Sequence, residues 1–186
     1  MRTLVIYESM YGNTHVIAEA IGRGLSEEGS EVTVVPVEDA TAARVADADL
    51  LVIGGPTHVH GMSRESTRRS AVEEAGLPES ELHLDPAAPG EGLREWFETL
   101  GKLQLAGAAF DTRVHLSAAL SGRASKGIAK RMRHHGVRQV AEPESFFVTK
   151  DNRLEAAEEQ RAETWGRQLA RAAATDADLA GEPTAG

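Results

Sequence analysis

There is no cysteine among the 186 residues, which removes disulfides, thiol nucleophiles, cysteine-ligated zinc and iron–sulfur clusters from the candidate chemistries. Aromatic residues are scarce, at 4%, so few side chains are available to stack on a planar ligand. No run of about 18 apolar residues occurs, and no transmembrane helix is expected. An excess of positive charge is missing too. The formal net charge is -9, which argues against nonspecific binding to nucleic acid or to an anionic membrane, both of which need a basic surface. The opening stretch, residues 1–7, lacks the apolar run and small-residue cleavage site of a secretory leader, and a cytoplasmic location is expected. Repeats and dividing linkers are absent. With 41% hydrophobic residues, the chain is long enough for one sizeable core and short for two domains.

What is present alternates. Leu4-Val5-Ile6-Tyr7 is a continuous apolar run of the kind that forms a parallel strand buried on both faces. Ile17, Ala20, Ile21 and Leu25 follow at helical spacing. Residues 32–35 and 50–53 read as second and third strands, the second ended by Pro36. Residues 64–76 read as a helix with Ser63 as its N-cap, and 85–90, with two prolines, as a loop. Leu93, Trp96, Phe97 and Leu100 form an i, i+3, i+4, i+7 stripe stopped by Gly101, expected to be core or an oligomer contact. Residues 107–110 make a weaker fourth strand, and 121–135 a helix stopped by Gly136. A fifth strand, broken at Pro143, ends at Phe146-Phe147-Val148. A last helix carries Leu154, Ala162, Trp165, Leu169 and Ala172, and residues 174–186 are expected to be a disordered tail. Strands alternating with helices imply a parallel sheet covered on both faces.

In such a sheet ligands sit beyond the carboxyl ends of the strands. Ser9-Met10-Tyr11-Gly12-Asn13-Thr14 lies at that end of the first strand and opens a helix. Backbone N–H groups at a helix start are unpaired, and the helix dipole favours an anion there. Gly12 lets the backbone approach a phosphate, while Ser9 and Thr14 add hydroxyls. The loop has no Lys or Arg, so it suits a terminal phosphate held by neutral donors. Gly22, Gly24 and Gly29 have the wrong spacing for a dinucleotide fingerprint, and no Gly-Lys-Ser/Thr loop for ATP or GTP exists.

These residues resemble the phosphate loop of flavodoxins, a hydroxyl residue and two variable positions before Gly-Asn-Thr. The Ser-Met-Tyr-Gly wording is similar to that of flavodoxin-like NAD(P)H:quinone oxidoreductases; Met10-Tyr11 replaces two further hydroxyl residues common in electron-carrier flavodoxins. The resemblance implies an α/β fold, a doubly wound five-stranded parallel sheet in the order 2-1-3-4-5, over residues 1–173. It implies FMN as cofactor and electron transfer or reduction of a quinone-like acceptor as function. A redox partner protein, or NAD(P)H and a small quinone, would be the partners, with a homo-oligomer open.

Two further loops carry the resemblance. Pro56-Thr57-His58-Val59-His60-Gly61 is similar to the loop beside the flavin ring, with His58 or Val59 expected over one ring face. As metal ligands His58 and His60 are disfavoured, because alternate residues of an extended chain point apart and no third ligand follows. The third loop, Asp111-Thr112-Arg113-Val114-His115-Leu116-Ser117, is similar to the one that in the family reaches the pyrimidine side and carries an aromatic shield, with Thr112 and Arg113 as candidate contacts. Here no Tyr, Trp or Phe occurs between Phe110 and Phe146, so His115 or Leu116 substitutes or the outer face is open. The three loops, 9–14, 56–63 and 112–122, hold no Asp or Glu. His58 and His60 are the only acid or base candidates near a ring, and no residue is required as a catalyst. Residues 121–140 carry six Lys or Arg and no acid, a solvated face or a dock for an acidic partner or a nucleotide phosphate. A phosphoryl-accepting signalling domain is rejected, since the third strand ends in Gly54-Gly55 and only Glu8 follows the first. A flavin-free scaffold serving as a binding module is the remaining alternative.

Overall fold

The structure, a computed structural model, describes residues 1–58, 61–88, 90–115 and 122–181. In chain order the elements are β1 (Arg2–Tyr7), α1 (Asn13–Glu27), β2 (Glu31–Pro36), a 3₁₀ turn (Val37–Asp39), α2 (Ala42–Ala46), β3 (Leu50–His58), β4 (Gly61–Met62), α3 (Glu65–Ala75), α4 (Leu93–Thr99), β5 (Ala106–Val114), α5 (Ala124–His134), β6 (Arg138–Gln139), β7 (Glu144–Val148) and α6 (Glu158–Gly181).

The sheet runs β2-β1-β3-β5, all parallel, and its outer position is shared by two pieces. β6 pairs with Ala106 and Gly107, and β7 with residues 110–114 of the same strand. The fifth strand is therefore interrupted at the stretch holding Pro143, a residue with no N–H to give the ladder. Counting β6 and β7 as one strand, the order is 2-1-3-4-5. β4 is an addition to that frame: Thr57 opposes Met62 and His58 opposes Gly61, making an antiparallel hairpin at the ligand-facing end of β3.

Period-two alternation sorts the strands between two cores. Leu4, Ile6, Leu51, Ile53 and Ala109 face α4 and α5, while Val5, Tyr7, Leu50, Val52, Ala108 and Phe110 face α1 and α6. Leu93, Trp96 and Phe97 are each at most 4% exposed, so the stripe is core, and the Trp96 indole donates to the Ala40 carbonyl at 2.8 Å. α1 and α6 meet at two glycines. A Cβ on Gly24 would lie 1.9 Å from the Glu163 carbonyl oxygen, and one on Gly166 would lie 2.3 Å from that of Ile21. Backbone contact at this crossing explains a glycine that no nucleotide motif claimed.

Three expectations shift. α3 begins at Glu65, after Arg64, so Ser63 is not its N-cap; its hydroxyl donates to Glu8 instead. α5 begins at Ala124, with Ser121 outside the described residues. α6 continues past Ala173 to Gly181, so residues 174–181 extend a helix where a tail was expected. Thr175 bonds back to the Arg171 carbonyl at 3.1 Å and Asp176 pairs with Arg138, which ties this extension down.

Candidate functional site

The carboxyl ends of β1, β3 and β5 converge on the loop that opens α1. Gly12 adopts φ 88°, in the left-handed region, and serves as the N-cap of α1. A Cβ built there meets nothing within 4 Å, so the turn faces open space. The Ser9 hydroxyl accepts the Gly12 N–H at 3.1 Å, closing the turn, and keeps its own proton free to donate. Thr14 and Thr112 bond through their hydroxyls at 2.7 Å, both buried, which pins the first loop to the end of β5. Asn13 donates to the Asn152 backbone and side-chain oxygens at 2.9 and 3.0 Å, pinning it to the turn after β7.

Met10 and Tyr11, where hydroxyl residues were the family alternative, border the loop but pack much of their side chains against Ala71, Leu84 and Ala88. Met10 is 2% exposed and packs with Ala71 and Ala88 against Tyr11 and Leu84. Its carbonyl accepts from Asp85 N at 2.8 Å, and the Asp85 carboxylate meets the His15 ring at 3.1 Å. His15 in turn stacks on Tyr7, centroids 4.4 Å apart. Burial, with Asp85 nearby, pushes the Tyr7 phenol up to about 12. The two departing residues thus clamp the loop against 84–88, and the Met10 side chain is not a phosphate donor.

Around this loop lies a shallow cavity of about 90 Å³, lined by Met10, Tyr11, Asn13, Thr14, Pro56, Thr57, His58, Thr112, Val148 and Asn152. Eight of these ten were singled out from sequence. Val148 and Asn152 were missed, although Asp151-Asn152 after a strand is a turn signal, and Asn152 has φ 57°. The volume is well under the roughly 300 Å³ at which ligand pockets begin, so it forms the floor of a site rather than an enclosing chamber. Gly61 lies on an adjoining cavity across the β3–β4 hairpin. Val59, His60 and Leu116 lie outside the described residues. Arg113 places its guanidinium 4.8 Å from the Phe147 ring centroid. His115 stacks on the same Phe147 ring, centroids 4.2 Å apart, and pairs with Glu155 at 3.1 Å.

Two buried carboxylates, Glu8 and Asp111, hold the loops together, a role that sequence reasoning gave to neither. Glu8, 6% exposed, takes the Ser63 hydroxyl on one oxygen and Leu93 N at 2.9 Å on the other. Arg68 reaches the same Ser63 at 3.1 Å and Glu95 at 3.2 Å. Burial pushes the Glu8 carboxyl above its ordinary range, against the opposing pull of the Ser63 and Leu93 bonds. Asp111, fully buried, accepts from the Thr57 hydroxyl at 3.2 Å and from Ser125 N at 2.7 Å on one oxygen, while Oδ1 has no partner. Thr57 accepts from Ala124 N at 2.9 Å, so β3, β5 and the start of α5 are locked through one hydroxyl. The acid-free reading of the three loops therefore needs a correction: a carboxylate one residue before Thr112 touches the flavin-type loop. Neither Asp nor its partners could be picked from spacing alone, because the contacts span 14 and 54 residues.

His58 belongs to both sides of the hairpin. Burial, with Arg68 nearby, holds its imidazole below the ordinary range, and its Nε2 is buried without a partner. Among the described residues no group of three His, Cys, Asp or Glu is placed to hold a metal ion.

Residues 5–165 match the sequence profile of the flavodoxin family. A flavodoxin of Aquifex aeolicus is 42% identical over 59 residues, 31% of this chain and 32% of that protein, so the match spans about a third of the relative's length. Among solved structures, a flavodoxin from the domain Archaea superposes with a TM-score of 0.64 at 21% identity, covering 94% of this chain and 99% of the other. Flavodoxin 1 of Bacillus cereus gives 0.62 at 16%, covering 92% and 98%.

Proposed function

Because the chain belongs to the flavodoxin family, we propose that it binds one FMN at the carboxyl ends of β1, β3 and β5 and passes electrons through it. The observation that carries this is the Gly12 turn: left-handed, open beyond its Cα, at the start of a 15-residue helix, and braced on both sides by Thr14–Thr112 and Asn13–Asn152. Such a turn supplies backbone donors, the Ser9 hydroxyl and a helix dipole to one phosphate, with no cation needed. The unpartnered His58 Nε2 and Asp111 Oδ1 supply buried polar groups on the neighbouring strands. Pro56, Thr57, His58, Val59, His60 and Gly61, with Thr112 and Arg113, would border the ring. FMN supplies the electron acceptance and donation when bound, and the protein orients it and sets its surroundings.

We assign the acceptor side to a quinone-like small molecule rather than to a carrier role alone. The support is chemical: residues 111–122 offer no aromatic to cover the outer face, and His115 is engaged with Phe147 and Glu155. Steady-state assay of FMN-loaded protein with NADH or NADPH and a benzoquinone tests this. Turnover with either donor is expected. A holoprotein idle with both, yet reduced rapidly by a reductase protein, would assign it to electron carriage.

A further inference from the structure

We propose that a second cavity, about 400 Å³ between the β3–β4 hairpin and the starts of α3 and α4, binds the phosphate group of a small anionic molecule. It is distinct from the Gly12 turn, and His58 forms a wall common to both. Arg64 and Arg94 line it, with Ser66 between them in the first turn of α3. Arg94 is fixed in place: its Nε donates to the Ser63 and Met62 carbonyls at 2.7 and 3.2 Å, and its Nη2 to Met62 at 3.1 Å. Those carbonyls orient the guanidinium without cancelling its charge. Arg131, on α5, lies over the Phe97 ring at 6.0 Å and outside the cavity lining, but near enough to repel Arg94.

Two arginines without an acidic partner line one cavity. Eight arginines elsewhere, including Arg23, Arg161, Arg167 and Arg171, are paired with carboxylates. Among the described residues Arg64, Arg94 and Arg131 form no ion pair, in a chain of net charge -9. The nearby acids are engaged: Glu95 with Arg68, Glu65 with Arg69, and Glu8 with Ser63 and Leu93. Burial, then Arg131 and Arg64, hold Arg94 below its usual range, so the cluster is electrostatically crowded and an anion would relieve it. Two guanidinium forks and a hydroxyl suit the oxygens of a phosphate better than the compact charge of a lysine would. A phosphate held there sits across His58 from the proposed flavin site, which places an anionic reactant beside the redox centre; this part rests on the FMN reading.

Pyrophosphate is the probe. Titration calorimetry into FMN-saturated protein should show one site. Arg64→Gln, an exposed residue whose change should leave the melting temperature and FMN affinity unaltered, should weaken it by about tenfold, the loss of one charge-assisted contact. Competition then identifies the source. Displacement by a nicotinamide dinucleotide bearing an extra phosphate, at lower concentration than its unphosphorylated counterpart, assigns the site to a nucleotide. Equal displacement by inorganic phosphate assigns it to free phosphate. No binding, binding abolished by FMN, or binding unchanged in Arg64→Gln overturns the proposal. Should FMN itself fail to bind, the same comparison in cofactor-free protein reads the cavity independently, with Gly12→Ala expected to have no effect on pyrophosphate.

Discussion

Glu8 is the residue whose removal should do most damage for its size, because one buried carboxylate fastens three segments. It leaves the end of β1, accepts from Ser63 after the hairpin, and accepts Leu93 N at the start of α4. Glu8→Ala orphans both donors and strips a carboxylate from beside Arg68, which is 7% exposed. Each of the two orphaned buried donors costs about 1–3 kcal/mol, so the total should be on the order of 2–6 kcal/mol. For a domain of this length that lowers the melting temperature by roughly 10 °C. Glu8→Gln retains an oxygen for Leu93 N and should lose far less. The charge itself has the opposite sign of effect. Since burial raises the Glu8 carboxyl above its ordinary value of 4.5, the folded state holds the proton more tightly than the unfolded one. Its contribution is fully present below about pH 4.5 and is lost as pH rises through the higher folded value, with a slope of at most about 1.4 kcal/mol per pH unit. Urea denaturation of wild type and Glu8→Gln across pH 4–8 measures this as the difference between the two stabilities. That difference should move against the wild type as pH rises. A difference that grows in its favour would mean that Arg68 and the two hydrogen bonds outweigh burial, and would refute the reasoning.

Two further substitutions separate packing from binding. Gly12→Ala meets no protein atom but forces a Cβ into the left-handed region, costing about 1–2 kcal/mol; FMN affinity should fall by more than tenfold in equilibrium titration, and an unchanged affinity would move the phosphate elsewhere. Gly24→Ala should destabilise by about 1–3 kcal/mol in spite of alanine's helix propensity, because α6 must retreat from a 1.9 Å contact; thermal melting checks it, and a stabilised variant would contradict the crossing.

The frame was legible because it is written in local patterns. Short apolar runs at 4–7 and 50–53, alternating with helix-spaced segments, read as strands buried on both faces, and Pro143 announced the break between β6 and β7. The first loop was legible because its position after β1 and its Gly-Asn-Thr wording agree. Other features depend on residues far apart in sequence. Ser63 looked like a helix cap, yet its hydroxyl has a better partner 55 residues away in Glu8. Met10 was legible only as a departure from the family's hydroxyl residues; that its apolar side chain is buried beside Ala71 and Ala88 depends on residues some 60 and more positions away. The helical stretch at 174–181 was missed because composition there is polar; its anchor, Arg138–Asp176, joins residues 38 apart.

The central claim is that this fold binds one FMN through a single phosphate loop, and equilibrium titration of the cofactor-free protein with FMN and with FAD addresses it most directly. One-to-one saturation by FMN is expected, with FAD weaker by about tenfold or more, a difference of about 1.4 kcal/mol. Equal affinities for the two flavins, or no saturable binding of FMN, would contradict the account.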